Sequence, residues 1–142
     1  MARIDFYVLK QPGELSRQTF ACRLAEKAYR LQHTVHIHAG SPTDAKRIDD
    51  LLWTFRDGSF VPHHIVGAGT GGLDSAVTIG SDRQSVDPRD LLINLGDEIP
   101  VFAKSFARVA ELVTSDDESK IQSRKRFADY RSQGHTIETH NV

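Results

Sequence analysis

Short apolar segments alternate with longer helical repeats along most of this chain, and that alternation is what most restricts its fold. Residues 4–9 (IDFYVL) crowd β-branched and aromatic side chains together, as a buried strand does. Residues 14–32 instead repeat apolar side chains at spacings of three and four, as an amphipathic helix does. Strands that alternate with helices favour a sheet covered by helices on both faces. The sequence therefore predicts an α/β fold of three layers with a mostly parallel sheet.

The same alternation continues to the C-terminus. A second strand is predicted at 33–39, and Ser41 has the position of an N-cap for a helix that begins at Pro42 and runs to about Thr54. The remaining predicted elements are strands within 60–66, at 76–79, at 91–95 and, as the last strand, at 109–114, with a short helix at 101–106 and a final helix at 116–133.

The composition restricts the class of protein. A chain of 142 residues, 39% of them hydrophobic, predicts one globular domain over 1–142. A net charge of −1 argues against a surface that binds nucleic acid as a whole, because phosphate binding needs a broad basic field. The single cysteine, Cys22, lies within a helical pattern and is expected to be a small buried hydrophobe. Without an apolar signal or spanning segment, the sequence predicts a cytoplasmic protein.

Residues 51–64 (LLWTFRDGSFVPHH) combine large apolar side chains with a turn. Trp53 ends a helical pattern, and Phe60, Val61 and Pro62 follow the turn. The segment has no nucleophile–base pair and no metal-ligand spacing. Aromatic side chains near a turn suit a docking surface, because they bury a large area at low rotamer cost. The alternative is that Trp53 belongs to the core.

Residues 120–134 (KIQSRKRFADYRSQG) form a second segment of interest. Acidic residues at 116–118 suit the start of a helix, and Gly134 suits its end. Helical spacing places four side chains along one stripe: Lys120, Arg124, Phe127 and Arg131, with Tyr130 three residues after Phe127. Residues 119–134 include five basic residues and one acidic residue, so this helix is locally cationic.

A basic stripe with embedded aromatic residues is compatible with three kinds of partner. These are nucleic acid, an anionic membrane, and an acidic peptide that carries an apolar anchor. The alternative without a partner is a solvated helix face whose packing side is formed by Ile121 and Ala128. The residues alone leave these possibilities open.

The two segments, with IDFYVL at 4–9 and DLLINL at 90–95, resemble the chi subunit of bacterial DNA polymerase III holoenzyme. The resemblance extends from residue 4 to about 141, and its W-x6-FVPH pattern is specific. It implies a Rossmann-like topology without a nucleotide site, no catalytic site and no cofactor. It also implies a linking role between two partners. One is the psi subunit of the clamp loader complex, and the other is the acidic C-terminal tail of single-stranded DNA-binding protein, which ends in a Phe carboxylate.

The resemblance also implies which residues contact these partners. The surface used by psi, and by an alternative helicase partner, corresponds to Trp53, Phe60, Val61 and Pro62. The tail-binding site corresponds to Val113, Lys120, Arg124, Phe127, Tyr130 and Gly134. The family can carry Tyr-Lys where this chain has Phe127 and Ala128, so a hydroxyl and a positive charge are missing here. Lys125 and Arg126 are the nearest replacements for that charge, although they lie at a different helix angle.

Two rival functions follow from other motifs. Gly67, Gly69 and Gly72 match G-x-G-x-x-G, which would indicate a nucleotide-binding enzyme if a helix followed. Residues 73–80 (LDSAVTIG) predict a strand instead, so a glycine-rich turn is the preferred interpretation. The second rival is a direct single-stranded DNA binder in which Arg124, Phe127 and Arg131 form a stacking groove.

Four histidines could in principle surround a metal ion. His36 and His38 share one face of a predicted strand, and His63 with His64 would have to complete the set. No cysteine or carboxylate stands at the spacing of a structural zinc site. The sequence therefore predicts no bound metal.

Overall fold

The structure of the protein, a computed structural model, describes residues 2–55, 58, 60–66, 75–81 and 87–142. Its strands are β1 (Arg3–Val8), β2 (Val35–His38), β3 (His63–Ile65), β4 (Val77–Gly80), β5 (Leu91–Asn94), β6 (Arg108–Val113) and β7 (Thr136–Asn141). Its α-helices are α1 (Glu14–Arg30), α2 (Pro42–Thr54) and α3 (Asp117–Ser132), and a 3₁₀ turn spans Ala103–Ser105. No described helix is long and apolar enough to span a membrane.

The strands form one sheet in the order β3-β4-β2-β5-β6-β1-β7. Every strand pair in it is parallel. The predicted α/β class with three layers is confirmed, and the sheet is parallel throughout the described residues. Strands β3 and β7 lie at the two opposite edges of the sheet.

Two apolar clusters cover the two faces of the sheet. Helices α1 and α2 pack on one face, where Ile37 and Ile93 are fully buried. Helix α3 and the 3₁₀ turn pack on the other face, where Leu92 and Phe6 are buried. Cys22 lies in the first cluster, as predicted for a small hydrophobe, and burial raises the pKa of its thiol to about 12.

Two helix starts have different chemistry. At α2 the hydroxyl of Ser41 accepts a hydrogen bond from the backbone N–H of Asp44 at 3.1 Å, and Pro42 is the first helical residue, as predicted. At α3 Asp116 holds the cap position, but its carboxylate accepts hydrogen bonds from the Gly13 N–H and the Thr114 hydroxyl, each at 2.9 Å. The Asp116 side chain therefore connects the starts of α1 and α3.

The strand predicted at 109–114 is present as β6, but it is not the last strand, because β7 follows α3 and pairs with β1 along its whole length. Four of the six residues of β7 are exposed, and only Ile137 and His140 are half-buried. An edge strand with so few buried positions lacks the apolar pattern by which a strand is predicted.

Two candidate docking surfaces

The first surface is a shallow groove between α3 and strands β1, β6 and β7, here called the α3 groove. Its volume is about 240 Å³. It is lined by Phe6, Val8, Val113, Lys120, Ser123, Arg124, Phe127 and Thr139. The structure thus brings together four of the predicted site residues: Val113, Lys120, Arg124 and Phe127.

The α3 groove has an apolar floor and a cationic rim. The rings of Phe6 and Phe127 pack with their centroids 5.4 Å apart, and Val113 lies beside them at the end of β6. Lys120 and Arg124 are exposed one helical turn apart, and neither forms an ion pair within the described part of the chain. Such an arrangement suits a ligand that carries both an anionic group and an apolar side chain.

Tyr130 and Gly134, the other two predicted residues, do not line the α3 groove. Tyr130 is buried, and its hydroxyl donates a hydrogen bond to Oε2 of Glu111 at 2.6 Å. Burial and the neighbouring Glu111 carboxylate raise the pKa of Tyr130 far above its ordinary value. Gly134 lies just beyond the end of α3, where its φ of 83° is one that glycine adopts without strain.

Sequence reasoning missed four groove residues: Phe6, Val8, Ser123 and Thr139. The alternation of side chains along β1 places Phe6 and Val8 on one face, so the sequence does contain a signal for these two residues. Ser123 follows Lys120 by three residues on the helix. Thr139 belongs to β7, the strand whose sequence gives no apolar pattern.

Neither Lys125 nor Arg126 supplies to the α3 groove the positive charge that Ala128 lacks. Arg126 is buried, and its Nε lies 3.0 Å from Oε1 of Glu111 in an ion pair. Lys125 lines a separate cavity of about 990 Å³ on the other flank of α3, together with the acidic residues Asp97 and Asp129. The cationic rim of the groove thus consists of Lys120 and Arg124 among the described residues.

The second surface, here called the aromatic edge patch, consists of Trp53 and Phe60. Their side chains are 56% and 64% exposed, and their ring centroids lie 5.8 Å apart. Trp53 is therefore not a core residue. Of the two neighbours predicted to share this surface, Pro62 is half-buried beside the patch, whereas Val61 is only 1% exposed and packs in the first core cluster.

His63 supports the aromatic edge patch from below. Its ring centroid lies 4.7 Å from that of Trp53. Its Nδ1 is 2.6 Å from the Val61 carbonyl oxygen, and its Nε2 is 3.1 Å from the Asp49 carbonyl oxygen. These contacts join the end of α2 to β3, so the patch rests on ordered elements. Residues 56, 57 and 59 of the intervening turn lie outside the described residues.

The fold places the two surfaces far apart. The aromatic edge patch adjoins β3 at one edge of the sheet, and the α3 groove adjoins β7 at the other. Six spacings between neighbouring strands separate these edges, which amounts to about 29 Å. Helices α2 and α3 also cover opposite faces of the sheet. The two surfaces are therefore spatially separate.

The structure describes the histidines but not the glycine motif. Gly67, Gly69 and Gly72 lie outside the described residues, and the next element is the strand β4. His36 and His38 share a face, as predicted, and both rings contact Phe102, with centroid distances of 5.9 and 5.4 Å. His63 lies instead under Trp53, so these histidines do not surround one point.

Among the described residues, one group has the spacing of metal ligands: Asp5, Glu138 and His140. The buried carboxylate of Asp5 already accepts hydrogen bonds from Arg3 at 3.2 Å, Arg108 at 3.1 Å and His140 at 2.9 Å. Burial alone would raise the pKa of Asp5, but the hydrogen bonds from His140, Arg108 and Arg3 outweigh it and hold that pKa below its ordinary value. The guanidinium groups of Arg3 and Arg108 therefore already pair with the carboxylate of Asp5, and that of Arg3 also pairs with Glu138 at 3.1 Å.

The family model and the relatives that match this chain all indicate the same protein family. Residues 1–138 match the family described as DNA polymerase III chi subunit, HolC. A protein from Pseudomonas aeruginosa named DNA polymerase III subunit chi is 37% identical over 142 residues, which cover 100% of this chain and 98% of the relative. A protein of the same name from Haemophilus influenzae is 36% identical over 138 residues, which cover 97% of this chain and 96% of the relative.

The fold also has a structural relative. The crystal structure of T4 UvsW matches with a TM-score of 0.71 at 12% identity, over 99% of this chain and 41% of that longer chain. This likeness concerns the fold alone. The family match and both alignments, in contrast, cover nearly the whole sequence. The chain therefore belongs to the family of DNA polymerase III chi subunits.

Proposed function

We propose that this chain is a non-catalytic subunit that links the psi subunit of the clamp loader complex to the acidic C-terminal tail of single-stranded DNA-binding protein. Membership of the chi family implies an accessory role in DNA replication. The observation that carries the finer proposal is the α3 groove, because it joins exposed cations to an apolar floor. An acidic tail that ends in a Phe carboxylate needs both.

The α3 groove offers a place for each part of such a tail. The guanidinium of Arg124 can donate charge-assisted hydrogen bonds to the terminal carboxylate. The terminal ring can pack beside Phe127 and Val113 on the apolar floor. Lys120, one turn away, then faces the acidic residues that precede the terminal Phe.

The aromatic edge patch is the proposed site for psi. Large aromatic side chains at the centre of an interface commonly supply most of its binding energy. Trp53 and Phe60 are exposed in this way, and Pro62 forms the adjoining edge. Val61 lies two residues before β3 and is buried in the first core cluster, so it would support the patch from below. An alternative helicase partner that uses the same patch would compete with psi.

Calorimetric titration with a synthetic tail peptide tests the proposal. Arg124→Ala should weaken binding by about 1.5–3 kcal/mol, the range for a hydrogen bond to a charged group. Lys125→Ala is the matched control, because it removes an exposed cation from the other flank of the same helix. A peptide that lacks the terminal Phe should not bind measurably to the parent protein or to either variant. An unchanged dissociation constant for Arg124→Ala would remove Arg124 from the site.

Two further measurements distinguish the proposed function from its rivals. A bare single-stranded oligonucleotide should not bind, because the ring of Phe127 packs on Phe6 rather than standing open for base stacking. ATP or NAD should leave the melting temperature unchanged. Oligonucleotide binding with a steep salt dependence would favour the direct DNA binder, and nucleotide-dependent stabilisation would favour the enzyme.

A further inference from the structure

The buried face of helix α3 carries several polar groups. Its buried residues are Ser123, Arg126 and Tyr130, whereas Ile121 and Ala128 are exposed. The buried residues of α2, in contrast, are Ala45, Ile48 and Leu52. Phe127 is the one apolar side chain of α3 that packs half-buried against the core. The apolar packing of α3 therefore comes mainly from two rings, the half-buried ring of Phe127 and the buried ring of Tyr130.

A buried carboxylate lies directly beneath this helix. Glu111 on β6 is fully buried and is paired in register with Asn94 on β5 and Phe6 on β1. A charged group inside a fold is costly unless hydrogen bonds and an opposite charge compensate it. Glu111 must therefore find its partners within the fold.

Those partners come from two successive turns of α3 and from the neighbouring strand. Oε1 of Glu111 accepts a hydrogen bond from Nε of Arg126 at 3.0 Å. Oε2 accepts from the Tyr130 hydroxyl at 2.6 Å and from Nδ2 of Asn94 at 2.8 Å. Arg126 also donates to the Asp97 carbonyl oxygen at 3.0 Å. Together these bonds tie α3 to β5, β6 and the loop after β5.

We propose that Glu111 is a positioning residue for the α3 groove and that it acts through Tyr130 and Arg126. Contacts to residues 126 and 130, four apart, fix both the rotation and the height of the helix. Arg124 and Phe127 project from the same two turns toward β1 and β7, so the network sets where they point. This inference rests on the proposed tail-binding function, and it gives Tyr130 a role although it does not line the groove.

Tyr130→Phe is the test, because it removes one hydroxyl and keeps the ring in the core. Tail-peptide affinity should fall about 2- to 30-fold, the range for a residue that modulates a site without touching its ligand. Tyr29→Phe, which removes a hydroxyl from α1, is the matched control and should bind as the parent does. Glu111→Gln should weaken binding further, provided that its melting curve shows a folded protein.

A double-mutant cycle distinguishes positioning from a general loss of structure. In the Arg124→Ala background, Tyr130→Phe should weaken binding much less than it does alone, because the residue that it positions is gone. Equal losses in both backgrounds would overturn the positioning role, and so would unchanged affinity of Tyr130→Phe. If the parent protein itself did not bind the tail peptide, the proposed function would fail first, and the positioning role with it.

Discussion

His36 lies on β2 inside the sheet, where one of its ring nitrogens is hydrogen-bonded and the other is buried. Its Nδ1 is 2.8 Å from the Thr78 hydroxyl, and its buried Nε2 has no hydrogen-bond partner among the described residues. Burial, reinforced by the charges of His38 and Arg89, lowers the pKa of His36 to about 4. The folded protein therefore holds this imidazole neutral, whereas in the unfolded chain it titrates near its ordinary pKa.

This difference predicts a loss of stability in mild acid. The unfolded chain binds the extra proton first, so the stabilisation is complete above about pH 6.5 and is lost as the pH falls toward 4. A shift from 6.5 to about 4 corresponds to about 3 kcal/mol. Urea unfolding between pH 7.5 and 4 should show a smaller decline in the unfolding free energy for His36→Gln than for the parent.

His33→Gln provides the control for that measurement, since it makes the same replacement at an exposed histidine. Asp5 also loses stabilisation as the pH falls, because its pKa is held below the ordinary value. The informative quantity is therefore the difference in slope between the variants. An identical slope in His36→Gln and the parent would show that His36 is not the group responsible.

Elements with strong periodicity were predictable from the sequence, and those placed by long-range contacts were not. Helix α2 has the predicted start and end, because its cap and its apolar repeat are local signals. Helix α3 was predicted as an element, but not the face that it buries. Glu111, which bonds the buried side chains of α3, lies on β6, and no local sequence pattern connects that residue to the helix. Val61 was likewise expected on the surface, although the fold buries it.

The charge on α3 predicts a moderate salt dependence of tail binding. Lys120 and Arg124 are exposed at the groove rim, where added salt screens their attraction for an acidic peptide. Affinity should fall between about 0.05 and 0.3 M salt but persist, because the terminal ring binds an apolar floor. Titrations at several salt concentrations measure the slope, and Lys120→Gln should make it shallower. A constant affinity across this range would exclude the basic rim as the contact.

At the scale of the whole molecule, the parallel sheet would act as a spacer in the proposed linking role. Its edges β3 and β7 carry the two surfaces, and helices on opposite faces present them. The proposed site residues at 53 and 60 and those at 113–127 are also distant in sequence, and the α3 groove is completed by residues of β1 and β7. A rigid sheet between them allows both partners to be held without contact between their sites. The two binding energies should therefore be independent.

Independence predicts a selective effect of Phe60→Ala. Phe60 is 64% exposed, so its truncation should leave the melting temperature nearly unchanged, unlike a change at the buried Val61. Binding of psi should weaken by at least about 2 kcal/mol if Phe60 is a central contact. Tail-peptide binding should change by no more than a few tenths of a kcal/mol, as for distant sites.

Leu15→Ala, which truncates another exposed apolar side chain, is the control and should alter neither affinity. Parallel titrations of each variant with psi and with the tail peptide test whether the two sites are independent. Equal loss of both affinities in a folded Phe60→Ala protein would mean that the two surfaces are not separate.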